Sequence, residues 1–161
     1  WTFHSHFSTH IDAPSHMLAR GKTLSDYPIE QFVGEGIVVD VRGQKEIETN
    51  LDSVKKGDIV FFLTSHSDKA REKDYFKSNP VLTPTMAQKL VDKKVKMVGL
   101  DAPTPDNEPY ILHKLFFKHD ILIVENLVNL KELAGKRFQC YVLPVKIKDA
   151  DGAPCRVIGI I

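Results

Sequence analysis

Apolar and polar positions along this chain fall into short, separated runs of two kinds. Ile59 to Thr64 and Ile121 to Val124 are unbroken apolar stretches, the pattern of strands buried on both faces. Gly36 to Val41, rich in Val and Ile, and Lys96 to Leu100 read as further strands. Arg137 to Ile147 and Arg156 to Ile161 read as paired strands across the turn-rich connection Asp149-Ala150-Asp151-Gly152. Helical signals are fewer. Thr83-Pro84 supplies an N-cap and a proline at the first helical position, opening a helix to about Lys93. Tyr110 to Phe117 places Leu112, Leu115 and Phe116 on one helical face, with His113 beside it. Leu130 to Ala134 reads as a short helical turn closed by Gly135, and Ser67 to Phe76 as polar helix or loop. Strands interleaved with helices predict an α/β protein with a mixed sheet.

A length of 161 residues suits one domain, 1–161, with a sizeable core. Lys and Arg number 22 against 21 Asp and Glu, a net charge of +1, so no electrostatic signature points to nucleic acid or an anionic membrane as partner. No apolar run approaches the ~20 residues of a membrane-spanning helix. With no secretory signal read, the expected location is the cytoplasm. Cys140 and Cys155 fall on the last two strands and could face each other across a hairpin. Two free thiols in a reducing compartment is the simpler reading.

Candidate chemistry concentrates near the start. His4, His6, His10 and His16, four of the chain's seven histidines, share a short segment with Asp12. Imidazole and carboxylate are the ligands of borderline divalent metals, and imidazole moves protons near neutral pH. His6, His10 and Asp12 are all even-numbered, so extended backbone turns them toward one side. Pro14 restricts Ala13 to an extended conformation and argues against a helix. His4 shares the parity and is either a spare ligand or a surface residue. The interleaved Phe, Thr, Ile and Pro residues do not resemble a purification tag, which is a homogeneous run.

The segment His6-Phe7-Ser8-Thr9-His10-Ile11-Asp12-Ala13-Pro14-Ser15-His16 resembles the His-x-Gly-Thr-His-x-Asp-x-Pro-x-His signature of the cyclase family. That family includes bacterial kynurenine formamidases (arylformamidases) and isatin hydrolases. The one departure is Ser8 in place of glycine. A later block, His113 on a helix followed by the apolar strand ending in Glu125-Asn126-Leu127, resembles the family's second motif. Gly99-Leu100-Asp101-Ala102-Pro103-Thr104-Pro105-Asp106 resembles a third, with Thr104 where serine is usual. Taken alone, Glu125 reads as a solvated strand-end charge and His113 as a partly buried helix histidine.

The resemblance implies a swivelling β/β/α domain and a metal-dependent hydrolase of a C–N amide bond. His6, His10 and Asp12 would hold a first ion, His113 a second, with Asp12 and Glu125 shared between them. His16 would be the proton donor and acceptor. Zinc is the expected metal, with manganese also suited, as one or two ions. The expected substrate is a formamide such as N-formylkynurenine. The alternatives are a cyclic amide such as isatin, or a non-catalytic metal-binding protein of the same fold. A homodimer or homotetramer is expected. The resemblance further implies a stretch before the histidine motif that is largely missing here. Thr9 and Thr64 are candidate polar supports, Asp101 and Asp106 loop-shaping residues, and His66 and His119 solvated.

Overall fold

The apolar run Ile59–Leu63 needs neighbours on both faces, and it sits in the middle of a sheet. The computed structural model describes residues 2–161. The elements, in chain order, are β1 (His10–Asp12), β2 (Val33–Asp40), β3 (Glu46–Ile47), β4 (Ile59–Leu63), β5 (Val81–Leu82), α1 (Pro84–Asp92), β6 (Met97–Leu100), α2 (Ile111–Lys118), β7 (Leu122–Glu125), β8 (Arg137–Pro144) and β9 (Gly152–Ile160). Strands β2, β4, β6 and β7 are parallel neighbours. β8 lies antiparallel to β2, and β9 antiparallel to β8. The three residues of β1 bond antiparallel to both β7 and β9 and so close the sheet into a barrel, β1-β7-β6-β4-β2-β8-β9. β3 and β5 form a separate two-stranded sheet.

Alternation along the strands divides the apolar side chains into two layers. Ile59, Phe61 and Leu63 join Val38, Met97, Leu122, Val124, Phe138 and Val142 inside the barrel. Val60 and Phe62 face outward with Val98, Leu100 and Ile123, against Met86 and Leu90 of α1 and Leu112 and Phe116 of α2. Each such fully buried side chain contributes about 1.5–3 kcal/mol relative to exposure. The helix start is as read: Thr83 Oγ1 accepts from Met86 N at 3.0 Å, with Pro84 following. No helix among the described residues is long and apolar enough to cross a membrane.

The α/β class with a mixed sheet stands. Closure of that sheet is a feature that the layered β/β/α expectation does not contain, and it depends on a strand too short to show periodicity. β2 begins at Val33, ahead of the expected Gly36, because Val33, Gly34 and Glu35 already pair with β8. Gly36 weakens the strand signal for a steric reason: a Cβ there would fall 2.4 Å from the Phe138 ring. Cys140 and Cys155 are both free. They oppose Gly159 and Pro144 rather than each other. His66 corrects an expectation. It is buried, with its ring stacked 4.9 Å from that of Tyr75 and Nε2 against Tyr75 O at 2.8 Å. The loop after β4 folds back over it. His119 is exposed, as expected.

Candidate metal centre

The register at the barrel seam assembles the site. His10 lies opposite Glu125, and Asp12 opposite Ile123. Cross-strand partners share a face, so His10, Asp12 and Glu125 all take the outer face on which Ile123 packs. α2 covers that face and brings His113. Glu125 is buried within β7, not a solvated strand-end charge, and His113 is buried too. His6 and Phe7 are not in a strand. The backbone turns at Ser8, which has a left-handed φ of 57°. Glycine adopts that conformation at little cost and other residues do so at roughly 1–2 kcal/mol. The turn brings His6 back over Asp12, with Nδ1 2.7 Å from Asp12 Oδ1.

Each of the three imidazoles offers one nitrogen to the carboxylates; the other is hydrogen-bonded in His10 and His113 and lies near Asp151 in His6. His10 Nε2 lies 3.3 Å from both Asp12 Oδ1 and Glu125 Oε2, and its Nδ1 meets Ser8 O at 2.8 Å. His113 Nε2 lies 3.4 Å from Glu125 Oε1 and 3.9 Å from Asp12 Oδ2, and its Nδ1 meets Asp106 Oδ1 at 2.5 Å. His6 turns Nδ1 inward and leaves Nε2 3.3 Å from Asp151 Oδ2. Such outward partners fix the orientation of metal-binding imidazoles. His16 is half-buried on the 3-10 turn Pro14–His16, its ring 4.0 Å from that of His6 and 6.3 Å from that of His113. Its Nδ1 lies 3.5 Å from Asp151 Oδ2. His4 is exposed and takes no part in these contacts.

Two overlapping groups have ligand atoms close enough to share an ion: His10, Asp12 and Glu125, and His6, Asp12 and His16. Glu125 Oε1, which faces the cluster, is buried without an aligned hydrogen bond. Buried polar atoms are nearly always satisfied, and an ion is one of the standard explanations of an exception. The donor set of imidazoles and carboxylates fits a divalent cation of the zinc or manganese type.

The electrostatics agree. Burial opposes protonation of His6, but the carboxylates of Asp12 and Asp151 outweigh it and push its pKa up to about 9. Burial likewise opposes protonation of His113, and Asp106 and Glu125 push it up to about 9. His10 is raised for the same reason, against its burial, by Glu125 and Asp12. His16 is the exception. Burial lowers its pKa, and the neighbouring His6 and His113 add to that lowering against the pull of Asp12. The carboxylates thus call up positive charge on their own imidazoles, a role that a divalent cation would take over if those protons left.

Several supports were not assigned to the site in the sequence. Asp106 accepts from Leu112 N at 2.7 Å, starting α2, and with its other oxygen orients His113. Asn126, left-handed at φ 55°, fixes the end of β7. Its carbonyl accepts from Thr9 Oγ1 at 2.6 Å, and its side chain from the Tyr75 hydroxyl at 2.6 Å. Thr64 instead serves the loop after β6, donating to Asp101 Oδ1 at 2.6 Å. Asp151, read only as part of a turn, lies beside two histidines.

Comparison with known proteins places the chain in a family. The family model described as "Putative cyclase" matches residues 1–107, and the chain belongs to that family. It is a hydrolase of it. A kynurenine formamidase of Bacillus cereus is 33% identical over 98% of this chain and 77% of its own length. One of Bacillus anthracis is 34% identical over the same shares. Among solved structures, a potential metal-dependent hydrolase with cyclase activity superposes with a TM-score of 0.82 at 29% identity, covering 98% of this chain and 80% of that one. An isatin hydrolase bound to thioisatinate reaches 0.85 at 20% identity, over 100% and 74%. That second likeness is one of fold.

Proposed function

We propose that this protein hydrolyses the formamide C–N bond of an N-formyl arylamine, converting N-formylkynurenine to kynurenine and formate. The observation that carries the proposal is the convergence of His6, His10 and His113 on Asp12 and Glu125, each with one nitrogen turned inward. The curated relatives named kynurenine formamidase favour this substrate over a cyclic amide such as isatin. His6, His10, Asp12, His113 and Glu125 would hold one or two divalent ions, with Asp12 and Glu125 placed to serve both. Zinc suits this donor set best, manganese next. A bound ion of this type makes water nucleophilic near neutral pH and polarises the carbonyl under attack.

His16 sits above the cluster with Nδ1 toward Asp151, which leaves Nε2 for the reaction. His16 Nε2 takes a proton from the attacking water and gives it to the departing aryl nitrogen, so that one water is consumed and formate and amine leave. Intact His16 also argues against a merely metal-storing relative, which has no use for a proton shuttle. Burial of His10 and His113 keeps bulk water from competing for their nitrogens.

The same reading takes the architecture as the family's swivelling β/β/α domain, and the enzyme as cytoplasmic, where two free thiols persist. It takes the assembly as a homodimer or homotetramer. The last strand exposes Ile158 and Ile160, an apolar strand end of the kind proteins usually cover. A sedimentation mass of one chain at micromolar concentration counts against the oligomer.

The deciding experiment pairs elemental analysis of purified protein with an activity screen over N-formyl arylamines and cyclic amides. Bound zinc and preferential release of formate from N-formylkynurenine are expected. A metal-loaded protein that opens isatin and leaves formamides intact replaces the substrate. A protein that takes up no divalent metal overturns the reading.

A further inference from the structure

The β8–β9 connection carries more fixed contacts than a solvent turn requires. Its backbone is pinned on both sides of Asp151: Leu24 N donates to Ala150 O at 2.9 Å, and Ala13 N donates to Asp151 O at 2.8 Å. Asp151 Oδ1 accepts from Ser5 Oγ at 3.1 Å. With one oxygen held, Oδ2 is aimed at two imidazoles, 3.3 Å from His6 Nε2 and 3.5 Å from His16 Nδ1. The next residue closes the arrangement from below. A Cβ on Gly152 would stand 2.6 Å from His6 Cε1, so the ring lies directly on bare backbone.

We propose that Asp151 is a positioning residue whose single free oxygen sets the ring orientations of His6 and His16 together. The proposal rests on the roles given to those two histidines above. Its chemistry is general: a carboxylate on the far nitrogen of a metal-binding imidazole fixes the tautomer and presents the near nitrogen to the ion. Here the same oxygen also reaches His16, so the proposed metal ligand and the proposed proton shuttle share one anchor. Contacts of this kind are often long in ligand-free sites and tighten when the site is filled. Asp106 gives His113 the same support from its own side, but no second histidine shares it.

The test uses Asp151→Asn, which keeps size, Asp151→Ala, which removes the anchor, and Asp151→Glu, which keeps the charge. Zinc is titrated into metal-free protein against a coloured chelator. Affinity is expected to fall about 10- to 100-fold in the Asn and Ala variants, with the melting temperature of the metal-free protein unchanged. In zinc-loaded enzyme kcat should fall while KM holds, and Asp151→Glu should recover part of both losses. Wild-type zinc affinity together with wild-type kcat in Asp151→Ala overturns the proposal. So does a zinc defect matched by an equal loss of metal-free stability, which marks a turn that only holds the fold. Should the Ala variant fail to fold, the isosteric Asn variant decides. Wild-type enzyme inert toward every formamide would remove the proposed function and leave the zinc titration to judge Asp151.

Discussion

Two assemblies of charge are buried at opposite ends of this barrel, and they are built on opposite rules. Asp58 stands just before β4, at the end of the parallel strands away from Glu125. Its Oδ1 accepts from Arg137 Nη2 at 2.7 Å, and its Oδ2 from Arg137 Nη1 at 3.0 Å and Lys55 N at 2.8 Å. Arg137 donates once more, to Ser53 O. Every oxygen of Asp58 has a partner in a fixed geometry, and nothing remains to bind. At the other end two carboxylates face three imidazoles, and Glu125 Oε1 still lacks an aligned donor. A carboxylate closed by a bidentate guanidinium is structure. Carboxylates crowded together and answered only by titratable rings keep a place for a cation.

The largest effect is expected at Asp12, which both candidate groups share. Asp12→Ala should abolish metal uptake and reduce hydrolysis to background, measured by elemental analysis and formate release. Normal metal content in that variant would separate the cluster from metal binding altogether. His16→Ala comes next. It should retain metal and lose about 10²- to 10⁴-fold in kcat, the usual contribution of a general acid–base group. Added zinc should not rescue it, and a wild-type kcat would remove His16 from the reaction.

Asp58→Ala tests the other side of the comparison. Stranding the Arg137 guanidinium, itself partly solvated, should cost about 2–3 kcal/mol in urea unfolding, below the 3–5 expected for a fully buried pair. kcat and metal content should not change, and a loss of activity at unaltered stability would show that the two ends are coupled. The smallest effect belongs to Ser8→Gly. Relief of the left-handed serine, offset by the greater freedom of unfolded glycine, should stabilise the protein by no more than about 1 kcal/mol. Measurable destabilisation would mean that the Ser8 side chain does something the backbone geometry does not reveal.

What could be read in advance follows the range of the interactions. Thr83 and Pro84 announce α1 because a cap and a fixed φ act within one turn. Ile59–Leu63 and Ile121–Val124 announce buried strands because composition alone demands two covered faces. The His6–His16 segment announces a cluster of imidazoles and carboxylate because its ligand types are dense and rare. Barrel closure was illegible, since His10–Asp12 is too short to carry a period and its pairing with both β7 and β9 is decided by distant chain. His66 misled because a histidine in a polar stretch looks solvated until Tyr75 is known to stack on it. Asp106 shows an intermediate case. Its loop-shaping bond to Leu112 N is what an aspartate after prolines suggests, whereas its grip on His113 appears only once α2 is in place. Asp151 lies at the far end of the sequence from His6, in a turn whose composition already explains it.

The three-residue strand at the seam has a mechanical consequence. β1 makes few ladder bonds, so it is the place where the closed cylinder would part first under thermal motion. It is also the strand that carries His10 and Asp12, facing Glu125 on the strand across the seam. An ion shared by these three would therefore act as a clasp. Ion binding and barrel closure would draw on the same free energy, about 2.7 kcal/mol at free zinc a hundredfold above Kd. Amide exchange at Ile11 and Val124 should then slow sharply on zinc addition, and Phe61 and Phe62, in the middle of the parallel strands, should slow with it, because an ion that binds only the folded protein also opposes global unfolding.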